Sequence, residues 1–223
     1  FGGISGYIGC KMLHPAPVVV SYVNDSRVAQ LQAQIDLLKK EAIANKTTVY
    51  PQMPNSVESF TDTSGKYEKI LSVLTEADLA VISQVVTTLK KRHPKLRTQA
   101  LYRGVVSCAV AAKVHKVPFK QAVALALVES TFDFFAVSQA NCKGLTQLSA
   151  LIWRSYSPKY GVSGFSVFNP VANAVVGVGY LKELTRSHSG NTHRALVFYN
   201  GGSSGHSSCH LYAAKVLRLA ATL

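Results

Sequence analysis

Beyond position 95 the chain holds three carboxylates, Glu129, Asp133 and Glu183. Acid–base chemistry there that needs a carboxyl must draw on one of them. Glu183 lies in Gly179-Tyr180-Leu181-Lys182-Glu183-Leu184 with basic neighbours and reads as a solvated helix residue. Glu129 is different, because it ends the apolar run Ala122 to Val128 and is followed within one turn by Phe132. A helix without a polar face is buried. A carboxyl at its end is partly desolvated, which penalises the charged form and raises the pKa, as a general acid near neutral pH requires. A buried carboxyl compensated by Arg or Lys is the equal alternative at this local level. Asp133 would share a face with Glu129 if the helix continued. The segment after Glu129 reads instead as leaving the helix, which makes Asp133 a cap or turn residue. His188, His193, His206 and His210 have no HExxH spacing, so no metal site is read.

The elements that must position these groups are helical. Thr75 and Asp78 are spaced as a capping box for the run Leu79 to Leu89. Lys90, Lys91 and Arg92 complement that helix's C-terminal end before Pro94 stops it. Further helices are expected at 97–115, 119–130, 146–154, 170–187, 191–198 and 211–221, and no alternating strand pattern of useful length intervenes. The fold class is mainly α.

The first part of the chain is of another kind. Residues 1–21 combine an apolar start, with Gly2, Gly6 and Gly9, and a stiff His14-Pro15-Ala16-Pro17 stalk. Too short to span a bilayer, the start reads as the remnant of a truncated membrane anchor, or equally as an ordinary buried or flexible N-terminus. Residues 22–43 read as an amphipathic, coiled-coil-like helix, capped by Asp25 or Ser26 and carrying Val28, Leu31, Ile35, Leu38 and Ala42. Residues 44–66, with Pro51, Pro54 and Gly65, read as a linker, and 67–95 as a helical lead-in to a domain over 96–223.

Charge follows the same division. Residues 1–95 carry 11 Lys+Arg and 8 Asp+Glu, net +3, and residues 96–223 carry 13 and 3, net +10. A basic surface attracts polyanions, among them nucleic acid, anionic headgroups and acidic envelope polymers, or serves solubility. No specific nucleic acid is implied. The cysteines Cys10, Cys108, Cys142 and Cys209 form no CxxC, which removes support for zinc-ribbon and thioredoxin readings. Cys108 lies in an apolar helical run and reads as a buried thiol. Cys142 and Cys209 sit in polar, loop-like surroundings, so a pair in an oxidising compartment and two separate thiols are equal alternatives.

Four motifs then occur in order. They are Glu129-Ser130-Thr131-Phe132-Asp133 with Ala136-Val137-Ser138, and Lys143-Gly144-Leu145-Thr146-Gln147-Leu148. Asn169-Pro170-x-x-Asn173 follows with Gly177 and Tyr180-Leu181, and then Phe198-Tyr199-Asn200-Gly201-Gly202. Together with the closing Tyr212 to Leu217 they resemble the soluble lytic transglycosylase domain of the lysozyme-like superfamily, over roughly 96–222. Thr146 stands where that family usually has Met, Asn169 where Asp is common, Phe134 where Pro is common and Phe198 where Ala is usual. These departures bear on substrate fit.

The resemblance implies a lysozyme-like helical fold, no cofactor, and cleavage of the bond between N-acetylmuramic acid and N-acetylglucosamine in peptidoglycan glycan strands. Glu129 would be the catalytic acid and then base, and the product a 1,6-anhydro sugar. Tyr199 and Asn200 would orient the carboxyl and the sugar, Gln147 would line the cleft and Ser130 would assist Glu129. A goose-type lysozyme-like hydrolase and a non-catalytic glycan-binding scaffold are the alternatives. The expected location is the periplasmic side of the bacterial envelope, with inner-membrane anchoring. The N-terminal helix would recruit the domain to subunits of a secretion, conjugation or phage-entry assembly.

Overall fold

The computed structural model describes residues 73–201 and 206–223. These fall within one compact unit. The expected anchor, coiled-coil-like helix and linker lie outside the described residues, as does the lead-in before residue 73.

Seven helices make up the described residues: α1 (Glu76–Arg92), α2 (Thr98–His115), α3 (Phe119–Ser130), α4 (Ala150–Tyr156), α5 (Pro170–Ser187), α6 (Thr192–Tyr199) and α7 (Ser207–Thr222). The architecture is mainly α, as expected. The Thr75–Asp78 capping box opens α1, with Lys90, Lys91 and Arg92 in its last turn. Asn169 and Asn191 cap α5 and α6 through side-chain oxygens that accept from Ala172 and Arg194 amides.

Two boundaries differ from the sequence expectation. The helix expected at 146–154 begins at Ala150, because Gln147 takes a left-handed conformation (φ 52°) and Ser149 supplies the cap. The last helix begins at Ser207 rather than 211, with His206 as N-cap.

α2 packs along α5 and α3, α3 also lies against α7, and α6 joins α5 to α7. α3 is therefore central, with Ala122 to Ala126 at 0% exposure. Its apolar sequence follows from being covered on all sides. Between α3 and α4 a looped segment folds on itself through bridges from Lys143 to both Val137 and Leu148. The two thiols left open by sequence do not pair: Cys142 is disulfide-bonded, whereas Cys209 is a free, buried thiol. Cys209 is not loop-like, since it belongs to the buried stripe of α7 with Ala213 and Val216. Cys108 is fully buried and free, as read from its helical run.

Candidate active site

α3 carries Glu129 to its last turn and then stops abruptly. Thr131 and Phe132 both adopt left-handed φ, 56° and 60°. Such angles cost non-glycine residues energy that surrounding packing must offset. Here Phe132 is 1% exposed and lies against Gly104 of α2, where an added Cβ would fall 2.4 Å from the ring. The closely approaching helix thus holds the chain in the turn that leaves Glu129 at a helix end.

Glu129 is 5% exposed, and its described hydrogen-bond partner is the Tyr212 hydroxyl of α7, which donates to Oε1. Burial pushes the carboxyl up to about 8, against a smaller downward pull from Tyr212. Among the described residues no Lys or Arg contributes to this shift, so none of them supplies the compensating cation of the alternative reading. A neutral acid at pH 7 follows from desolvation without a cation. Tyr212 and Tyr199 are both driven well above the ordinary tyrosine value, first by burial and next by the charge of Glu129. Both remain neutral donors when Glu129 ionises.

A polar lattice frames this acid. The Tyr199 hydroxyl donates to the Thr146 carbonyl at 2.9 Å. Thr146 is bound to Asn173 of α5, whose Oδ1 accepts from the Thr146 amide at 2.8 Å and hydroxyl at 2.7 Å. The Asn173 amide nitrogen donates to the carbonyls of Lys143 (3.1 Å) and Val167 (2.8 Å). Asn173 is completely buried, and this bonding is what a buried amide requires. The lattice needs glycine at 177, because a Cβ there would sit 2.2 Å from Thr146 Oγ1 and 2.9 Å from the Tyr199 hydroxyl. The threonine found where the resembled family has Met is accordingly part of a hydrogen-bonded turn.

The other residues singled out by sequence fall around this frame. The Gln147 side chain donates to the carbonyls of Gly144 (2.9 Å) and Ala136 (3.1 Å), while its buried Oε1 has no partner. The Ser130 hydroxyl lies 2.7 Å from the Leu145 carbonyl and 3.3 Å from that of Ala126. It ties the end of α3 to the loop. Asn200 points its amide at the Cys209 sulfur, 3.5 Å away.

The remaining carboxylates stand apart chemically. Asp133 is exposed and its Oδ1 accepts from the Phe135 amide at 3.0 Å, an Asx-type turn in agreement with the sequence reading. Glu183 is bound by Lys159 (2.8 Å) and Arg186 (2.6 Å), which hold it below its ordinary value. Two residues of the site escaped sequence reasoning as chemical groups. Tyr212 was visible only as part of a closing helix, although it is one turn from Cys209 and beside Ala213 on the inward stripe. Asn173 was visible only as a motif position.

A mainly helical domain holding one buried, uncompensated acid at a helix end is the class that fold and site define. Residues 107–215 match the family described as the Transglycosylase SLT domain. Among solved structures the chain is similar to the 70-kDa soluble lytic transglycosylase in complex with bulgecin A. That similarity has 15% identity and a TM-score of 0.49, covering 78% of this chain and 36% of the other. The match spans about a third of that protein's length. No curated protein matches.

Proposed function

We propose that this chain cleaves the glycan strands of peptidoglycan as a lytic transglycosylase, with Glu129 as both acid and base. The observation that carries this reading is a single protonated carboxyl with no second carboxylate partnered to it among the described residues. Hydrolases of the two-carboxylate kind need a second group to activate water or form a glycosyl-enzyme. Asp133 is spent on the turn and Glu183 on two cations.

In this mechanism Glu129 donates its proton to the oxygen bridging N-acetylmuramic acid and N-acetylglucosamine, and the glycosidic C–O bond breaks through an oxocarbenium-like state. The carboxylate so formed, held by the Tyr212 hydroxyl, then takes the proton from the muramoyl 6-hydroxyl as that oxygen bonds to C1. The proton count returns to its start, no water is consumed, and the product is a 1,6-anhydro end. Tyr199, Thr146 and Asn173 hold the loop that faces the acid, and Gln147, Ser130 and Asn200 would complete the sugar site. The same reading places the enzyme at the periplasmic side of the envelope. The N-terminal part would tether it to the inner membrane and to a secretion, conjugation or phage-entry assembly. Among the described residues no helix is long and apolar enough to cross a membrane.

Mass spectrometry of the soluble digest of purified sacculi tests the reaction. Muropeptides lacking one water, as 1,6-anhydromuramoyl ends, are the expected product. Reducing ends would reassign the chain as a lysozyme-type hydrolase, and a folded chain that releases nothing would leave the scaffold alternative.

A further inference from the structure

The tandem Phe134-Phe135 follows directly on the turn after the acid, and its two rings go opposite ways. Phe134 is 8% exposed, with the Arg103 guanidinium 5.6 Å from its ring centre. Phe135 is 73% exposed, and its described ring neighbour is Phe168, with centroids 5.9 Å apart at 37°. A large aromatic left in solvent costs apolar hydration that packing would normally remove. Its position is nonetheless fixed, because the Asp133 carboxylate accepts from its amide and the next residue is pinned from two sides.

That pinning locates the ring pair. The carbonyl of Ala136, next to Phe135, accepts from the Gly144 amide at 2.9 Å and from the Gln147 side chain at 3.1 Å. The carbonyl of Val167, next to Phe168, accepts from Asn173 at 2.8 Å and lies 2.7 Å from where a Gly144 Cβ would be. Ala136, Gly144 and Val167 thus form a backbone stack. Phe135 and Phe168 stand at one edge of it, and Gln147, with its unpartnered Oε1, is bonded into it. The aromatic pair is continuous with the candidate glycan site.

We infer that Phe135, backed by Phe168, is a sugar-stacking platform that takes the apolar face of an N-acetylhexosamine ring lying beyond the Gln147 edge of the site. The electron-rich face of an aromatic ring attracts the partially positive C–H groups of a pyranose. Asp133 acts here as the positioning residue that aims Phe135. This inference rests on the glycan-cleaving reading and adds a subsite and its determinant to it.

The test is steady-state kinetics of the full chain on soluble glycan strands released from sacculi, with thermal unfolding as the check on folding. Phe135→Ala raises KM about tenfold, the equivalent of one stacking contact, and leaves kcat within about twofold, as expected of a group remote from the reacting atoms. Phe135→Trp keeps the parent KM, because the aromatic face is preserved. Phe135→Leu behaves as Ala, because apolar bulk without a π face is insufficient. An unchanged KM for the alanine variant, or a leucine variant equal to the parent, overturns the platform while the glycan reading stands. The second outcome would mark the residue as a generic apolar contact rather than a stacking face. A folded parent chain that neither binds nor cleaves the strands overturns both.

Discussion

Glu129 and Glu183 are the same residue type in one domain, and their surroundings set them to opposite tasks. Glu129 ends α3 under full burial, meets a tyrosine hydroxyl and is raised to about 8. Glu183 lies on α5 with its side chain 23% exposed, meets Lys159 and Arg186 and is lowered. The chain has 24 basic residues and 11 acidic ones, so cations are abundant, yet among the described residues none contributes to holding Glu129. Keeping a carboxyl neutral at pH 7 is a matter of withholding both water and positive charge.

The largest effect that can break this contrast is on turnover. Glu129→Gln removes the transferable proton from a nearly isosteric side chain and is expected to lower the release of soluble muropeptides by at least about a thousandfold. Glu183→Gln should leave it within about twofold. Comparable losses in both would show that the two carboxylates are not functionally distinct.

Next in size is stability against pH. The folded pKa of Glu129 lies above the ordinary 4.5, so the protonated form is favoured in the folded chain. Its contribution is fully present below about 4.5 and is lost as pH rises through about 8. Glu129→Gln has no such dependence. The variant should therefore gain on the parent between these limits, by roughly 3–5 kcal/mol at the alkaline end, as read by denaturant unfolding at stepped pH. Glu183 has the reverse sign: its contribution is present above its unfolded pKa and is lost on acidification through its lower folded value. As an exposed pair it should be worth at most about 1 kcal/mol. A Glu129→Gln variant no more stable than the parent at alkaline pH would mean that the parent site is solvated.

The smallest effect refines the acid itself. Tyr212→Phe removes the hydroxyl that favours the ionised form, so the descending limb of kcat/KM against pH should move upward by about one to two units. Movement downward would mean that Tyr212 supports the neutral carboxyl instead.

How much of this was legible in the sequence follows the range of each interaction. The apolar run Ala122 to Val128 announces a buried helix ending in Glu129, and local rules found the Thr75–Asp78 box and the Asp133 turn, because each depends on residues within four positions. The start of α4 was missed because the left-handed Gln147 is imposed by Gly144, Asn173 and Ala136, two of them distant or across a loop. Cys209 was misjudged for a similar reason: its neighbours in sequence are polar, while its neighbours in space are α3 and α6. The Tyr212–Glu129 bond joins positions 83 residues apart, and no spacing rule reaches so far. Motif resemblance located the loop segments of the site but not which hydroxyl meets the acid.

The central claim is that Glu129 is a neutral acid at physiological pH. It is tested most directly by titrating its side-chain carbonyl carbon by NMR in the folded full chain, with Glu129→Gln used to assign the signal. A midpoint near 8 is the predicted result, and a midpoint at the ordinary 4.5 would contradict it.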